Sequence, residues 1–390
     1  MTNWRPATGI KFGPWRGAEE VVADFRLPPL DWLQGGADRD VVVYLRLQYA
    51  RNLRDALFPW KASPSELLDI RQRIAPILDS QLPQAFRYNF EELDTAASEA
   101  LTERYFLGPL QSYDPSRSLF VTKEGAVFSI NDTDHLRFSI FSSGSDFSKP
   151  LETLRIWDEK LDALLDWACT PDLGFLTTRV EEVGSALSCG ALIFIPGIVY
   201  SSMFERLSQR LLSQGIRVRF YASGGEEDGE APAAPPNPLV EISAPGSLGT
   251  DENTFIGGFR SLLMELVEGE RKTRERIKVD RAAELENEAF RSAALLRASK
   301  ILDSSETRRL LVALRSGLVY GLAPKVETDD SPDGAFAGEL RSSESDPFGA
   351  LDRLYVDVGE SQVRFSGVSG KDENKMRAEL VRRELPRYLI

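Results

Sequence analysis

The sequence contains one histidine in 390 residues, and it lies in a polar stretch between two apolar runs. The stretch reads VFSINDTDHLRFSIF, so that His135 has Asp132, Asp134 and Arg137 as close neighbours. Imidazole and carboxylate groups can move protons near neutral pH, and guanidinium groups bind phosphates and carboxylates. A single histidine argues against a histidine-based metal site. We interpret His135 as a structural donor that holds the turn between two strands, rather than as a catalytic group.

The composition is that of an ordinary soluble protein, 42% hydrophobic and 27% charged. The 47 Lys and Arg against 60 Asp and Glu give a net charge of -13, which argues against general binding to nucleic acids or membranes. Cys169 and Cys189 lack C-x-x-C spacing, so we expect neither a disulfide framework nor a zinc site. The longest apolar run, GALIFIPGIVY, is shorter than the ~20 residues of a membrane-spanning helix. Because no signal peptide is visible, we expect a cytoplasmic protein.

Alternating segments predict the strands that would position these polar side chains. VVVYLRLQYARNL places Arg46 and Gln48 on one face and its leucines on the other. SLFVTKEGAVFSI is typical of a hairpin that turns at residues 123–125, and HLRFSIF is a strand that carries Arg137. CGALIFIP and IRVRFYA are further strands, the second of which carries Arg219.

Helical signals surround these strands. The capping box Ser63-Pro64-Ser65-Glu66 predicts a helix start, and more helix is expected near residues 95–106. Another helix is expected to be capped near Ser148, with a buried stripe of Leu151, Leu154, Leu161, Leu164 and Leu165. From residue 255 to about 322 the pattern is helical almost throughout.

Together these elements predict an α+β fold. We expect a small N-terminal helical region, an antiparallel β-sheet flanked by helices, and a helical C-terminal domain, with domain limits at residues 1–92, 93–278 and 279–390. The loop GGEEDGEAPAAPPNP is expected to be mobile, and residues 324–350 to be a disordered insertion, because both are polar and poor in large apolar side chains.

The order of these motifs resembles the ATP:guanido phosphotransferase family of creatine and arginine kinases, and within it the McsB-like bacterial protein arginine kinases. The matching segments are VVVYLRLQYARNL, GAVFSINDTDHLRFSIF, GFLTTRVEEVGSAL, IRVRFYASGG and LVEISAPGSLG. FRSAALLRASKILDSSETRRLLVALRSGLVYGL and MRAELVRREL resemble the C-terminal helical domain and tail of the protein arginine kinases. The resemblance implies Mg-ATP as a possible cofactor, a homodimer, and a McsA-type activator or a Clp-type unfoldase as protein partner.

The resemblance implies that the catalytic base is missing. The family carries its catalytic glutamate in an Asn-Glu-Glu-Asp-His motif, which here reads Asn131-Asp132-Thr133-Asp134-His135, and Thr133 matches the glutamate. A neutral hydroxyl cannot act as a base near pH 7 without a partner base. Asp132 has one methylene less reach, and it would point to the other face if this part of the motif were extended.

The resemblance also implies that this chain has lost some of the arginines with which the family binds phosphate groups. Arg46, Arg137 and Arg219 match clamp arginines, whereas Gln48, Ser188 and Ser247 each replace one. Arg179 stands where the family has a reactive cysteine, and Glu182 stands where it has an asparagine, so that a compensating pair between the two is credible.

Two further family sites are altered. The two histidines of the adenine pocket match Tyr105, which could still stack on a purine, and Leu192, which can only pack. The Arg-Asp-x-x-Arg-Ala motif that binds phosphoarginine in the protein arginine kinases matches residues 373–378. There Arg377 remains as a candidate, but Glu373 would repel a phosphate.

Three functions stay open at this point. The first is a pseudokinase with a regulatory or protein-interaction role, since the loss of one preorganised transition-state donor costs ~3 kcal/mol and several are missing here. The second is an active protein arginine kinase with rearranged groups, in which Glu181 or Glu182 is the base and Arg179 part of the clamp. The third is a module that binds anions or phosphopeptides through the remaining arginines. Alternatively, those arginines pair with Asp132, Asp134, Glu181 or Glu182 and fill the cleft with internal salt bridges.

Overall fold

An eight-stranded antiparallel sheet forms the centre of the fold. The structure is a computed structural model that describes residues 25–108, 114–201, 203–220, 237–246, 249–323, 346–365 and 372–385. The strands are β1 (Val42–Arg51), β2 (Phe86–Asn89), β3 (Ser118–Val121), β4 (Ala126–Ile130), β5 (Leu136–Ser143), β8 (Leu187–Phe194), β9 (Arg217–Phe220) and β10 (Leu239–Pro245). Their order across the sheet is β2-β3-β4-β5-β1-β8-β10-β9. A separate two-stranded sheet pairs β6 (Cys169–Thr170) with β7 (Gly174–Phe175).

Ten α-helices are described around the sheet. They are α1 (Pro64–Gln81), α2 (Thr95–Glu103), α3 (Ser148–Asp162), α4 (Pro196–Tyr200), α5 (Phe204–Ser213), α6 (Glu252–Ala298), α7 (Ser304–Val319), α8 (Pro347–Asp357), α9 (Glu360–Phe365) and α10 (Glu373–Glu384). None of the helices in these parts of the chain is long and apolar enough to cross a membrane. The predicted α+β fold with an antiparallel sheet and a helical C-terminal region is confirmed.

Local sequence signals set several of these boundaries. The predicted capping box is present, because Ser63 N donates to the Glu66 carboxylate at 2.7 Å and Glu66 N donates to the Ser63 hydroxyl at 3.4 Å. Helix α3 begins at Ser148, but its N-cap is Phe147 and makes no side-chain cap bond. The cap near Ser148 is supplied by the Asp146 carboxylate, which accepts from Ser148 N at 3.0 Å.

The predicted leucine stripe after Ser148 is confirmed only in part. Leu154 and Leu161 are fully buried, and Leu165 is also buried. Leu164 is 51% exposed, so its assignment to the buried stripe is wrong. Helix α3 ends at Asp162, and helical periodicity therefore does not govern where Leu164 points.

The two faces of the central sheet have different partners. The face with Leu45, Leu47 and Tyr49 belongs to the main hydrophobic core, which also contains Leu263 and Val267 of α6. The opposite face carries the polar side chains of the candidate site. A second hydrophobic cluster covers one end of that face and includes residues of β1, β5 and β8 together with the segment around residues 105–107.

The C-terminal helices are fixed to the segment before β1 by a buried ionic cluster. The Asp352 carboxylate of α8 lies 2.8 Å from Arg39 Nη2 and 2.7 Å from Arg315 Nε of α7. All three side chains are buried. Helix α6 has a non-helical residue at Arg281, close to the predicted boundary at residues 278–279, but the three domain limits themselves stay predictions.

Two predicted mobile segments lie mostly outside the described residues. These are residues 221–236, which include most of GGEEDGEAPAAPPNP, and residues 324–345 of the predicted insertion. Helix α8 begins at Pro347, inside the predicted insertion 324–350. The Asp346 carboxylate caps this helix by accepting from Gly349 N at 2.9 Å, and proline at the first helical position is a helix-start signal.

Candidate active-site cleft

Strand alternation brings the predicted site residues to one face of the sheet. Arg46 lies opposite Phe141 of β5 and Gly190 of β8, and Gln48 lies opposite Ser139 and Ser188 in the same two strands. A side chain at Gly190 would meet Arg46, since a Cβ there would lie 3.4 Å from Arg46 Nη2. The face also carries Arg137 from β5, Arg219 from β9 and Glu241 from β10. We define this face as the cleft.

Arg137 is enclosed by partners from three parts of the chain. Its Nε and Nη2 donate to Gln48 Oε1 at 3.2 and 3.0 Å, and its Nη1 donates to Thr133 Oγ1 at 2.8 Å and to Asp134 Oδ2 at 2.9 Å. Its Nη2 also lies 3.0 Å from Glu182 Oε2. Burial alone would lower the pKa of Arg137, but the nearby carboxylates of Glu182 and Asp134 raise it above its ordinary value. This arginine therefore stays charged, and its donors are already used internally.

Thr133, which the resemblance matches to the family's catalytic glutamate, is part of the same network. The Thr133 hydroxyl donates to Asp134 Oδ2 at 3.1 Å while it accepts from Arg137. Asp134 is fully buried, and its other oxygen accepts from Asn52 Nδ2 at 2.7 Å and from Thr178 N at 2.8 Å. The Asp134 carboxylate is thus held by four donors, and Thr133 has no basic group to offer a substrate proton.

Asp132 contacts a different arginine. Its Oδ1 lies 3.4 Å from Nη2 of Arg117, which precedes β3. The backbone at Asn131 has a φ of 53°, so the motif turns at this point, and the extended chain that would have pointed Asp132 to the other face is not formed. Asn131 fits this turn because asparagine tolerates the left-handed region better than most residues do.

Glu241 is the main cleft residue that sequence reasoning missed. Its Oε1 lies 3.4 Å from Arg46 Nη2, and its Oε2 lies 3.6 Å from Arg219 Nη1. The Tyr44 hydroxyl donates to the same carboxylate at 3.4 Å. Glu241 is 3% exposed, whereas the side chains of Arg46 and Arg219 are 27% and 40% exposed. Two arginines that match phosphate-clamp positions therefore share one buried internal anion.

The structure contains the expected pair between Arg179 and Glu182. Arg179 Nη1 lies 3.4 Å from Glu182 Oε1, and the Glu182 carboxylate, 2% exposed, also pairs with Arg137. Glu181 is half-exposed and pairs with Arg217 of β9 at 2.7 Å. Both glutamates that could serve as relocated bases are thus engaged by arginines.

Neutral side chains occupy the other clamp positions. Ser188 Oγ donates to Gln48 Oε1 at 3.5 Å, and Gln48 Nε2 donates to Ser139 Oγ at 2.8 Å. These contacts connect β8, β1 and β5 without adding positive charge. Ser247 lies outside the described residues.

Tyr105 and Leu192, which the resemblance matches to the family's adenine-pocket histidines, are packed inside the protein. Tyr105 is 7% exposed and Leu192 is fully buried, and both belong to the second hydrophobic cluster. The Tyr105 ring lies 5.1 Å from the ring of Tyr44, between centroids. The structure thus places the Tyr105 ring among neighbouring side chains, with 7% of the residue exposed.

His135 is a buried structural residue. Its Nδ1 accepts from Leu53 N at 3.0 Å, so the ring is neutral and Nε2 donates to the Leu57 carbonyl at 2.8 Å. Its backbone N donates to Asn52 Oδ1 at 2.9 Å. Burial lowers the pKa of His135. The histidine therefore ties the turn between β4 and β5 to the segment that follows β1.

Arg377 is also used internally. Its Nε donates to the Val358 carbonyl at 2.7 Å, and its Nη1 donates to the Leu302 carbonyl at 3.0 Å and to Asn374 Oδ1 at 2.5 Å. The side chain is 1% exposed, and burial lowers its pKa. The Arg377 guanidinium therefore joins α10 to the end of α8 and to the segment between α6 and α7.

Comparison with known proteins gives the family. The model for the ATP:guanido phosphotransferase C-terminal catalytic domain matches residues 71–273. The chain is 24% identical over 307 residues to a protein-arginine kinase of Brevibacillus brevis, covering 77% of this chain and 84% of the relative. It is 26% identical over 305 residues to the protein-arginine kinase of Symbiobacterium thermophilum, covering 76% and 84%.

Solved structures give a weaker similarity. A substrate-free duplicated taurocyamine kinase from Schistosoma mansoni aligns with a TM-score of 0.49 at 19% identity, covering 62% of this chain and 35% of that one. A lombricine kinase aligns with a TM-score of 0.48 at 16% identity, covering 63% and 71%. The family match over residues 71–273 confirms the resemblance that the motifs indicated, and the chain belongs to the ATP:guanido phosphotransferase family.

Proposed function

We propose that this member of the family is a pseudokinase, which has kept the guanido-kinase fold but does not transfer phosphate at an enzymatic rate, and which acts through protein partners. The observation that carries the proposal is the network around Arg137, in which Thr133, Asp134 and Glu182 occupy its donors. Thr133 stands at the position of the family's catalytic glutamate.

The chemistry explains why this arrangement opposes catalysis. Phosphoryl transfer depends on preorganised cations around the phosphates and on a group that orients the nucleophile and takes its proton. Arg46 and Arg219 share Glu241, and Arg137 and Arg179 share Glu182. Because one lost donor costs ~3 kcal/mol of transition-state stabilisation, the combined changes remove most of the rate enhancement even if they are not additive.

The geometry supports a rearranged active kinase less well. Glu182 is 2% exposed and lies between two guanidinium groups, so it has no open side for a substrate nitrogen. Glu181 is exposed but pairs with Arg217. Replacing both by glutamine tests this alternative, because an active kinase that used either as its base would lose its activity.

The proposed cellular role follows the same comparison. We include in the proposal a cytoplasmic homodimer that interacts with a McsA-type activator or a Clp-type unfoldase, in keeping with the similarity to protein-arginine kinases. The support for the regulatory part is the persistence of a fully packed fold around a cleft that has lost its catalytic groups.

Calorimetry and a kinase assay test the proposal together. The purified protein is titrated with Mg-ATP and Mg-ADP, with and without arginine, and phosphate transfer to free and peptide arginine is followed in parallel. We expect no turnover in the enzymatic range. Turnover at the rate of an ordinary kinase would contradict the proposal.

A further inference from the structure

Two buried carboxylates lie where the arginines of the cleft converge. Glu241 is within 3.4 Å of Arg46 and 3.6 Å of Arg219. Glu182 is within 3.0 Å of Arg137 and 3.4 Å of Arg179. The two acids come from different elements, since Glu241 is on β10 and Glu182 ends a 3₁₀-helical turn at residues 180–182. Each acid is therefore an anion held between two cations.

Electrostatics gives this arrangement a consequence for ligands. A buried carboxylate is costly unless it is paired and hydrogen-bonded. Both glutamates form ion pairs with two arginines, and in addition Glu182 accepts a hydrogen bond from Arg179 and Glu241 accepts one from Tyr44. A polyphosphate that entered the cleft would need the same guanidinium groups. It would also face two negative charges at short range, where the local dielectric is low and repulsion is strong. The glutamates are thus competitors of such a ligand within the protein itself.

We propose that Glu241 and Glu182 determine the ligand specificity of the cleft by excluding polyphosphates, because they occupy as internal anions the arginines that phosphate groups would contact. The inference rests on the proposed function, since it gives a physical cause for the absence of catalysis beyond the missing base. It concerns polyphosphate chains in general, whether inorganic or carried by a nucleotide.

The paired substitution Glu182→Gln/Glu241→Gln tests the proposal. Glutamine keeps the shape and one acceptor oxygen of each side chain but removes the charge. Arg46, Arg219 and Arg179 then lose their internal counter-ion, whereas Arg137 keeps its bonds to Gln48, Thr133 and Asp134. We expect the double variant to bind Mg-tripolyphosphate at least about tenfold more tightly than the unchanged protein, as measured by isothermal titration calorimetry at low salt. We expect a similar gain for Mg-ATP, because Tyr105 and Leu192 are packed and leave no added contact for adenine.

Two controls separate this effect from a general change in charge. Glu265→Gln removes an exposed glutamate of α6 that pairs with Arg210 of α5 and contacts none of the four cleft arginines in the described ion pairs, and it should leave tripolyphosphate binding unchanged. Adding Arg46→Met to the double variant should reverse most of the gain, since the ligand would lose one of the released arginines. Thermal melting of each variant checks that it is folded.

The binding measurements test the inference about the two glutamates, and the kinase assay tests the proposed function. A folded double variant that binds tripolyphosphate no better than the unchanged protein overturns the inference, and so does an equal gain in Glu265→Gln. If the double variant does not fold, Glu241→Gln alone decides by the same criterion, with a smaller expected gain. Kinase activity of the unchanged protein would instead overturn the proposed function, and it is measured separately.

Discussion

Arg137 and Glu182 form an ion pair with 3.0 Å between Nη2 and Oε2, and both side chains are less than a tenth exposed. An arginine whose only role was to bind a ligand would contribute little to the stability of the fold. Arg137 instead neutralises the buried carboxylates of Glu182 and Asp134. Arg137→Met should therefore lower the free energy of unfolding by about 3–5 kcal/mol, because Glu182 and Asp134 would stay buried without their shared cation. Urea unfolding measures the change.

Arg217→Met is the matched control for that substitution. Arg217 pairs with Glu181 at 2.7 Å, but both side chains are about half exposed, and such surface pairs contribute ~0–1 kcal/mol. We expect a small change for this variant. Equal effects of the two substitutions would show that Arg137 is not the buried counter-ion that the structure indicates.

The single histidine predicts how stability depends on pH. The unfolded pKa of histidine is ~6.5, and burial lowers the folded pKa of His135 below it. Between these two values the unfolded chain binds more protons than the folded one, so the free energy of unfolding falls as the pH decreases through this window. Above pH ~6.5 the neutral His135 makes its full contribution to the free energy of unfolding. The stability difference between the unchanged protein and His135→Gln should therefore shrink on acidification.

Nuclear magnetic resonance checks the cause directly, since the protein has one imidazole. The ring should show the neutral tautomer with its proton on Nε2, because Nδ1 accepts from Leu53 N. It should also titrate below the ordinary histidine value. A ring that becomes charged at or above pH 6.5 in the folded protein would contradict this assignment.

The ionic cluster at Asp352 predicts a link between the C-terminal helices and the rest of the fold. Asp352→Asn removes the carboxylate between Arg39 and Arg315, and it should cost about 3–5 kcal/mol of stability because two buried guanidinium groups lose their shared anion. Limited proteolysis should then cut first in the C-terminal helices. Asp372→Asn, at an exposed pair with Lys375, is the control and should have little effect on either measurement.

The internal hydrogen bonds of Arg377 lead us to expect that the protein does not bind phosphoarginine through this residue. Its donors hold the carbonyls of Val358 and Leu302, so Arg377→Met should destabilise the protein by about 1–3 kcal/mol for the acceptors left unpaired. Phosphoarginine should not raise the melting temperature of the unchanged protein. A clear rise that disappears in Arg377→Met would show that this arginine does form a phosphate site.

The sequence predicted what depends on local spacing. Alternation in β1 correctly placed Arg46 and Gln48 on one face. The pair between Arg179 and Glu182 was expected for another reason, because both residues depart from the family pattern, and the structure contains it. Glu241 was missed because its contact with Arg46 depends on the register of β10 against β8 and of β8 against β1, which no local pattern reveals. The burial of Tyr105 likewise results from packing against the distant Tyr44.

The resemblance to a kinase family identified positions where this chain departs from the family, but it could not give the new contacts at those positions. The match of Thr133 to the family's catalytic glutamate implies a missing base, and that expectation depends on the resemblance. Only the structure shows that the Thr133 hydroxyl and the Asp134 carboxylate accept hydrogen bonds from Arg137. The internal ion pairs are observed in the structure, whereas the loss of catalytic groups is what the resemblance implies.

The most direct test of the account is the initial rate of phosphate transfer from Mg-ATP to arginine in peptides and in a folded protein, with an active protein-arginine kinase assayed alongside. We expect no transfer above that of a sample from which the protein is omitted. A rate in the range of ~1–100 s⁻¹, typical of kinases, would contradict it.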